Sequence, residues 1–180
     1  MTSQAESAAI KTTKSNATLA LLFFKVDEQL YGLPVNNVAR IIEMVTITPL
    51  PGIPDVMEGI INLHGKVVPV MDLRRRFNLP PCSYGLHTPI ILVDLIGQDY
   101  FLGLIVDTVE DVREVSVEDL ELAESIAPAE LASQITTRAA YLAGVATVDR
   151  RFILVLNIHA LLSPVVQSQL TQALGLKVGQ

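Results

Sequence analysis

Reactive and charged side chains are scarce in this chain of 180 residues. Its single cysteine, Cys82, excludes an internal disulfide and a CxxC metal site. Aromatic residues make up 5% and charged residues 18%, against 50% hydrophobic, which excludes a disordered, solvating polymer. Long apolar runs are missing as well. The longest uncharged stretch, Phe152 to Leu176, is interrupted by Asn157, His159, Ser163, Pro164, Gln167, Gln169 and Gln172, too many polar groups for one membrane span. The N-terminal MTSQAESAAIKTTKSNATLA has no apolar core ahead of a cleavage site, so it reads as a polar, mobile tail and not a signal peptide. Together these features point to the cytoplasm, and the length suits one domain or two small units sharing a core.

Catalytic templates are also lacking. No GxxxxGK, GxGxxG or GxSxG motif occurs. His64, His87 and His159 lie in separate segments with no carboxylate at metal-ligand spacing, so no metal or other cofactor is expected. Cys82 follows Pro80-Pro81 with no basic neighbour before His87 to lower its pKa, and reads as a bystander thiol. Asp72, between Met71 and Leu73, offers an acid or base; alternatively its carboxylate satisfies backbone N–H groups or an arginine at a strand end. Arg74-Arg75-Arg76 is an anion site or partner-fixing rim on one reading and a solvated strand end on the other. The net charge of −6 is unevenly placed: nine acids between Asp107 and Glu130 face only Arg113, which leaves the rest of the chain slightly basic. That stretch is a solubilising face, a steering surface for a basic partner, or the partner of arginines within the fold. With basic residues clustered only at Arg74–Arg76 and Arg150-Arg151, no nucleic-acid face is expected. The chain reads as a non-enzyme.

What the chain does contain is Leu, Ile and Val, which together form a third of it, in short runs cut by turn residues. Strands are expected over Leu19–Val26, Leu30–Val35, Arg40–Val45, Gly59–Leu63, Lys66–Leu73, Ile90–Leu95, Tyr100–Val106, Leu142–Val148 and Phe152–Ile158, with Val109–Val115 continuing the hairpin around Gly97-Gln98. The proline-rich Ile47–Pro54 is a crossing loop, and Asp55 to Glu58 is a candidate helical turn. Pro69 lacks an N–H, which places its strand at an edge or bulge. Phe77 to His87 is a loop, and the acidic Ser116–Gln134 is partly helical at best, with Ser116 a cap and Pro128 able to open a short helix. Ser163-Pro164 resembles an N-cap and first helical position, Val166, Leu170 and Leu174 recur at helical spacing, and Gly175 ends the run.

A faint repeat runs through the pattern. Gly32-Leu33-Pro34-Val35-Asn36-Asn37-Val38 parallels Gly103-Leu104-Ile105-Val106-Asp107-Thr108-Val109; Gly59 and Val70-Met71-Asp72-Leu73 parallel Gly144 and Val155-Leu156-Asn157-Ile158. Two related small β-units, each closed to hide its edges, are the natural expectation.

The segment ITPLPGIPDVMEGIINLHGKVVPVMDLRRRF (47–77) strongly resembles the CheW-like family of bacterial chemotaxis coupling proteins. The carriers are the TPLP-x-x-P crossing, the G-I-I-N-L-x-G turn and the VVPVxDLRxRF strand, with YGLPVNNV (31–38) upstream and PIILVDL, GLIVDTVEDV (103–112) and YLAGVATVDRRFILVLNIHALL (141–162) downstream. The resemblance implies an all-β fold of two SH3-like, five-stranded barrels sharing a core over about residues 19–162, preceded by a tail (1–18) and followed by a short C-terminal helix and tail (163–180). It implies a cytoplasmic, non-enzymatic adaptor that couples the cytoplasmic tip of a chemoreceptor to a CheA-type histidine kinase. Carried over by position, the receptor-facing strip is Val38, Arg40, Ile42, Gly59, Asn62 and His64, and the kinase-facing candidates are Leu104, Val106 and Val109, for which burial in the core is the competing role. Two departures stand out. The family commonly has glutamate where this chain has Arg40 and arginine where it has His64, so an opposite-charge pair is lost or reversed. Such a reversal fits a changed partner, which keeps open a competitor or inhibitor of array assembly, or a pilus-linked or other non-flagellar chemosensory pathway.

Overall fold

In a computed structural model of the chain, residues 17–95, 100–125 and 139–175 are described. One sheet is built from β1 (Thr18–Val26), β2 (Gln29–Pro34), β8 (Thr108–Ser116), β9 (Leu120–Leu122), β10 (Leu142–Val148) and β11 (Arg151–Leu156), in the order β8-β1-β2-β11-β10-β9. The other contains β3 (Val38–Glu43), β4 (Met57–Leu63), β5 (Lys66–Asp72), β6 (Pro89–Asp94) and β7 (Phe101–Ile105), ordered β3-β6-β7-β5-β4. Both sheets roll up. In the first, the chain passes from edge strand β8 to the opposite edge strand β9 through the single turn Val117–Asp119, so the two edges must lie close together. In the second, Thr48, only five residues beyond the end of β3, pairs with Ile60 of β4 on the opposite edge. The all-β, two-barrel architecture expected from the sequence is present; the first sheet counts six strands because it includes the three-residue β9.

The repeat maps onto the two sheets residue by residue. Gly32 pairs with Phe23 and Val155, as Gly103 pairs with Leu92 and Val70. Gly59 and Gly144 each follow a bulge, and a Cβ on either would lie 2.3 Å from the carbonyl oxygen of Thr48 or 2.4 Å from that of Glu121. Only glycine lets the closing strand approach so near. Each sheet, however, draws on both halves of the sequence. The β1–β2 hairpin completes the sheet of β8–β11, while β6–β7 completes that of β3–β5, through the parallel pairings β2–β11 and β5–β7. A half-sequence therefore does not close by itself; the two halves exchange hairpins.

Three apolar clusters result. Leu21, Phe23, Leu30, Ala146, Ile153 and Val155 fill the first barrel, and Ile61, Val68, Val70, Ile90, Leu92 and Ile105 fill the second. The largest cluster contains the alternate residues of both sheets, among them Leu22, Phe24, Tyr31, Met71, Ile91, Leu104 and Leu156, and is the expected shared core. Within it Phe24, Tyr31 and Phe77 stack at centroid spacings of 5.7 and 5.2 Å, and Tyr141 packs against Phe77 at a tilt, 6.0 Å away. Arg76 lies over the Tyr141 ring at 4.4 Å. Helix α1 (Leu73–Arg76) follows β5 and α2 (Ile158–Leu161) follows β11, capped by Asp72 and Asn157 respectively. Helix α3 (Pro164–Leu174) has the expected Ser163 cap, Pro164 at its start and a left-handed Gly175 at its end, and it buries Val166 and Leu170.

Several local expectations are corrected. Asp55-Val56 form a turn closed by the Met57 N–H on the Pro54 carbonyl, not a helical turn, because Met57 enters β4 opposite Met71 and is buried. Strand β2 stops at Pro34, and Val35–Asn37 form a 3-10 turn. Leu73 and Ile158 belong to helices, since the side chains of Asp72 and Asn157 accept backbone N–H groups and turn the chain. Strand β8 does not extend the β6–β7 hairpin; it crosses to the other sheet and pairs with β1. Pro69 lies in an interior strand. There β5 meets β7 only from Val70 onward, whereas the equivalent β11 already meets β2 at Leu154, so the missing N–H costs one position of that ladder. The Gly97-Gln98 turn, the Pro128 helix start and most of the N-terminal tail lie outside the described residues.

Candidate functional site

Of the receptor strip expected from sequence, Arg40 and His64 come together. With Ala39 and Lys66 they rim a cavity of about 260 Å³ floored by Leu63, Leu92 and Phe101, the open mouth of the second barrel. Arg40 is directed there by pairing with Leu92, a residue of the barrel interior. His64-Gly65 form the two-residue turn between β4 and β5, both with positive φ (51° and 83°), which suits a hairpin whose twist matches its strands. Asn62 holds that turn by accepting the Gly65 N–H at 2.8 Å. Lys66 extends over the Phe101 ring, 5.9 Å from its centroid.

The remaining candidates separate by burial. Ile42 is half-buried against the second barrel's core, and Val38 is half-buried against the shared one. Gly59 is buried beneath the Thr48 carbonyl, so its role is the close strand approach. In the kinase-facing set, Leu104 and Val106 are 0% and 1% exposed in the shared core, the competing role expected for them, and Val109 is partly buried against the same cluster. Apolar sequence character alone does not separate a core residue from a surface contact; the observed burial does.

The first barrel has the corresponding mouth, with inverted chemistry. Matching Gly32 to Gly103 and Gly144 to Gly59 places Asp111 where Arg40 stands, Asp149 where His64 stands, Arg151 where Lys66 stands and Phe23 where Leu92 stands. Arg113, at the position of Ile42, fills it: its guanidinium lies over Phe23 at 5.8 Å and reaches Asp111 (3.2 Å) and Asp149 (2.9 Å), whose negative charges raise its pKa. Beside it Glu110 meets Lys25 at 3.2 Å and Arg151 at 3.7 Å. Of the acidic segment, Glu110 and Asp111 here, and Asp107 through Arg74, thus pair with basic residues of the fold.

The polar groups singled out as possible chemistry are structural. Asp72, 3% exposed, accepts the Arg74 N–H at 2.8 Å and the Tyr84 hydroxyl, which settles it as a satisfied buried carboxylate. Burial, then the bond to Asp72, pushes the Tyr84 phenol far above its ordinary pKa. Arg74 bonds both oxygens of Asp107 (3.0 and 2.6 Å), lies 3.6 Å from Asp27 and donates to the Pro80 carbonyl; the Asp107 bond raises its pKa further. This joins α1 to the β1–β2 turn and to the crossing between sheets. Arg75 meets Glu58 at 3.0 Å beside a shallower depression of about 510 Å³ under the crossing loop, which Asp55 also lines. Cys82 is free and exposed, and desolvation raises its thiol pKa, opposite to what a nucleophile requires. The histidines stay apart: His87 contacts Glu43 at 2.9 Å and His159 is exposed on α2. Among the described residues no helix is long and apolar enough to cross a membrane.

Comparison with known proteins agrees with this fold. A chemotaxis protein CheW of Treponema pallidum is 31% identical over 79% of this chain and 81% of its own length. Another, from Klebsiella aerogenes, is 30% identical over 79% and 80%. Protein FrzA of Myxococcus xanthus is 32% identical over 54% of this chain and 59% of its own length. The crystal structure of the scaffolding protein TtCheW from Thermoanaerobacter tengcongensis superposes with a TM-score of 0.72 at 31% identity, covering 83% of this chain and 96% of that one. The family model for the CheW-like domain matches residues 20–165, and the chain belongs to that family of chemotaxis scaffolds.

Proposed function

We propose that this protein is a non-catalytic cytoplasmic adaptor that couples a chemoreceptor tip to a CheA-type histidine kinase, with the mouth of the second barrel as its receptor face. The observation that carries the reading is the convergence of Arg40 and His64 on one solvent-open cavity with an apolar floor. A helical receptor tip presents apolar side chains at helical spacing, and such a floor accepts one. Arg40, His64 and the half-buried Ile42 and Val38 supply the contact; Gly59 and Asn62 shape the strand and turn beneath it. An adaptor of this kind acts by effective concentration: holding kinase and receptor together makes the second encounter intramolecular, with no chemistry of its own.

The experiment is reconstitution of kinase autophosphorylation from the purified cognate kinase, receptor-tip fragments and this protein. Coupling predicts co-elution with the kinase and a rise in autophosphorylation when protein and tips are both present. Failure to bind any CheA-type kinase from the same cell overturns it. A fall in activity on addition identifies instead a competitor of array assembly, the reading that the altered residues at 40 and 64 keep open.

A further inference from the structure

The two mouths differ in what neutralises them. In the first, two carboxylates converge, and the fold supplies the complementary ion itself: Arg113 on Phe23, between Asp111 and Asp149. In the second, a guanidinium, an ammonium and an imidazole converge, with no acid among the described lining residues. Among the described residues Arg40 has no hydrogen bond or ion pair, and Lys66 reaches only the Phe101 ring. The position that carries the plug in the first barrel carries Ile42 here, which cannot serve as a counter-ion.

We infer that the open mouth takes a carboxylate side chain, aspartate or glutamate, projecting from an apolar helical surface of the receptor partner. The inference rests on the coupling reading and names the partner's chemistry. A helix is about 10 Å across and lies over the rim, while a cavity of about 260 Å³ admits one side chain from it. The carboxylate oxygens accept from the Arg40 fork and the Lys66 ammonium, and the flanking apolar groups cover Leu63, Leu92 and Phe101. A partner bearing lysine or arginine at that point would bring like charges together while losing water from both, so the rim selects as well as binds.

The test is a charge exchange with the full-length protein and a receptor-tip fragment from the same cell, read as affinity by titration calorimetry. Arg40→Glu and Lys66→Glu each weaken binding by about tenfold or more, with melting temperature near wild type because both side chains are exposed. Exposed acids of the tip are then converted to lysine one at a time. One such variant loses affinity for the wild-type protein to a similar degree and regains most of it with Arg40→Glu. A tip that binds the wild-type protein with no loss in either glutamate variant, or with no rescuing exchange at any acid, overturns the inference and leaves coupling intact. A tip that fails to bind the wild-type protein overturns both.

Discussion

Arg40 and His64 rim the second barrel where Asp111 and Asp149 rim the first, on strands and turns of matching register. The turns themselves match: His64-Gly65 and Asp149-Arg150 both have positive φ throughout. Yet one mouth is closed by Arg113 and the other is open. The backbone is fixed by glycines and buried strands, and the side chains at its rim are free to diverge. A shared fold therefore says where a binding surface lies and leaves its sign to a few exposed residues.

The comparison is broken most severely at the two closing glycines. Gly59→Ala forces a Cβ against the Thr48 carbonyl at a residue whose φ is +152°, and a loss of about 3–5 kcal/mol is expected in denaturant unfolding. Gly144→Ala meets the Glu121 carbonyl in the same way and costs somewhat less, about 2–4 kcal/mol. If either substitution is neutral, the matched closure is wrong for that barrel.

The next difference lies after the capping residues. Arg74, 13% exposed at its side chain and doubly bonded to Asp107, stands where the other half has the exposed His159. Arg74→Ala is expected to lose about 2–4 kcal/mol, and His159→Ala almost nothing, by thermal unfolding. The caps themselves diverge in charge. Asp72 needs the Tyr84 hydroxyl, while the exposed, neutral Asn157 does not. Tyr84→Phe leaves a buried carboxylate short of a donor and costs about 1–3 kcal/mol at neutral pH. Because the folded state raises the phenol's pKa, this contribution is complete below its unfolded value near pH 10 and is lost as pH rises beyond it. The variant's stability should therefore fall less steeply than wild type above about pH 10. A small effect is also expected from Arg113→Ala, a surface ion pair whose loss shifts the melting temperature little but leaves Asp111 and Asp149 without their plug.

Much of this was legible in the sequence. Short Val, Ile and Leu runs gave most strands, and the repeated glycines marked the equivalent closures. The exchange of hairpins was not legible, because it depends on parallel pairings between strands far apart in sequence, and alternation says nothing about which sheet a strand joins. Helices α1 and α2 were hidden for a local reason: the apolar alternation runs unbroken into Leu73 and Ile158, and the caps at Asp72 and Asn157 turn the chain. Arg40 and His64, named together through family position, do line one cavity. Lys66 was missed, although its place directly after the His64-Gly65 turn was a usable signal. The burial of Leu104 and Val106 was not separable from surface contact in the sequence, because it depends on β7 lying between two other strands and on both side chains facing the shared core.

The most direct test measures the affinity of one receptor-tip fragment for two variants in parallel, Arg40→Ala at the open mouth and Asp111→Ala at the plugged one. The account predicts a loss of about tenfold or more for the first and a change within about twofold for the second. Equal losses, or a loss confined to Asp111→Ala, would contradict it.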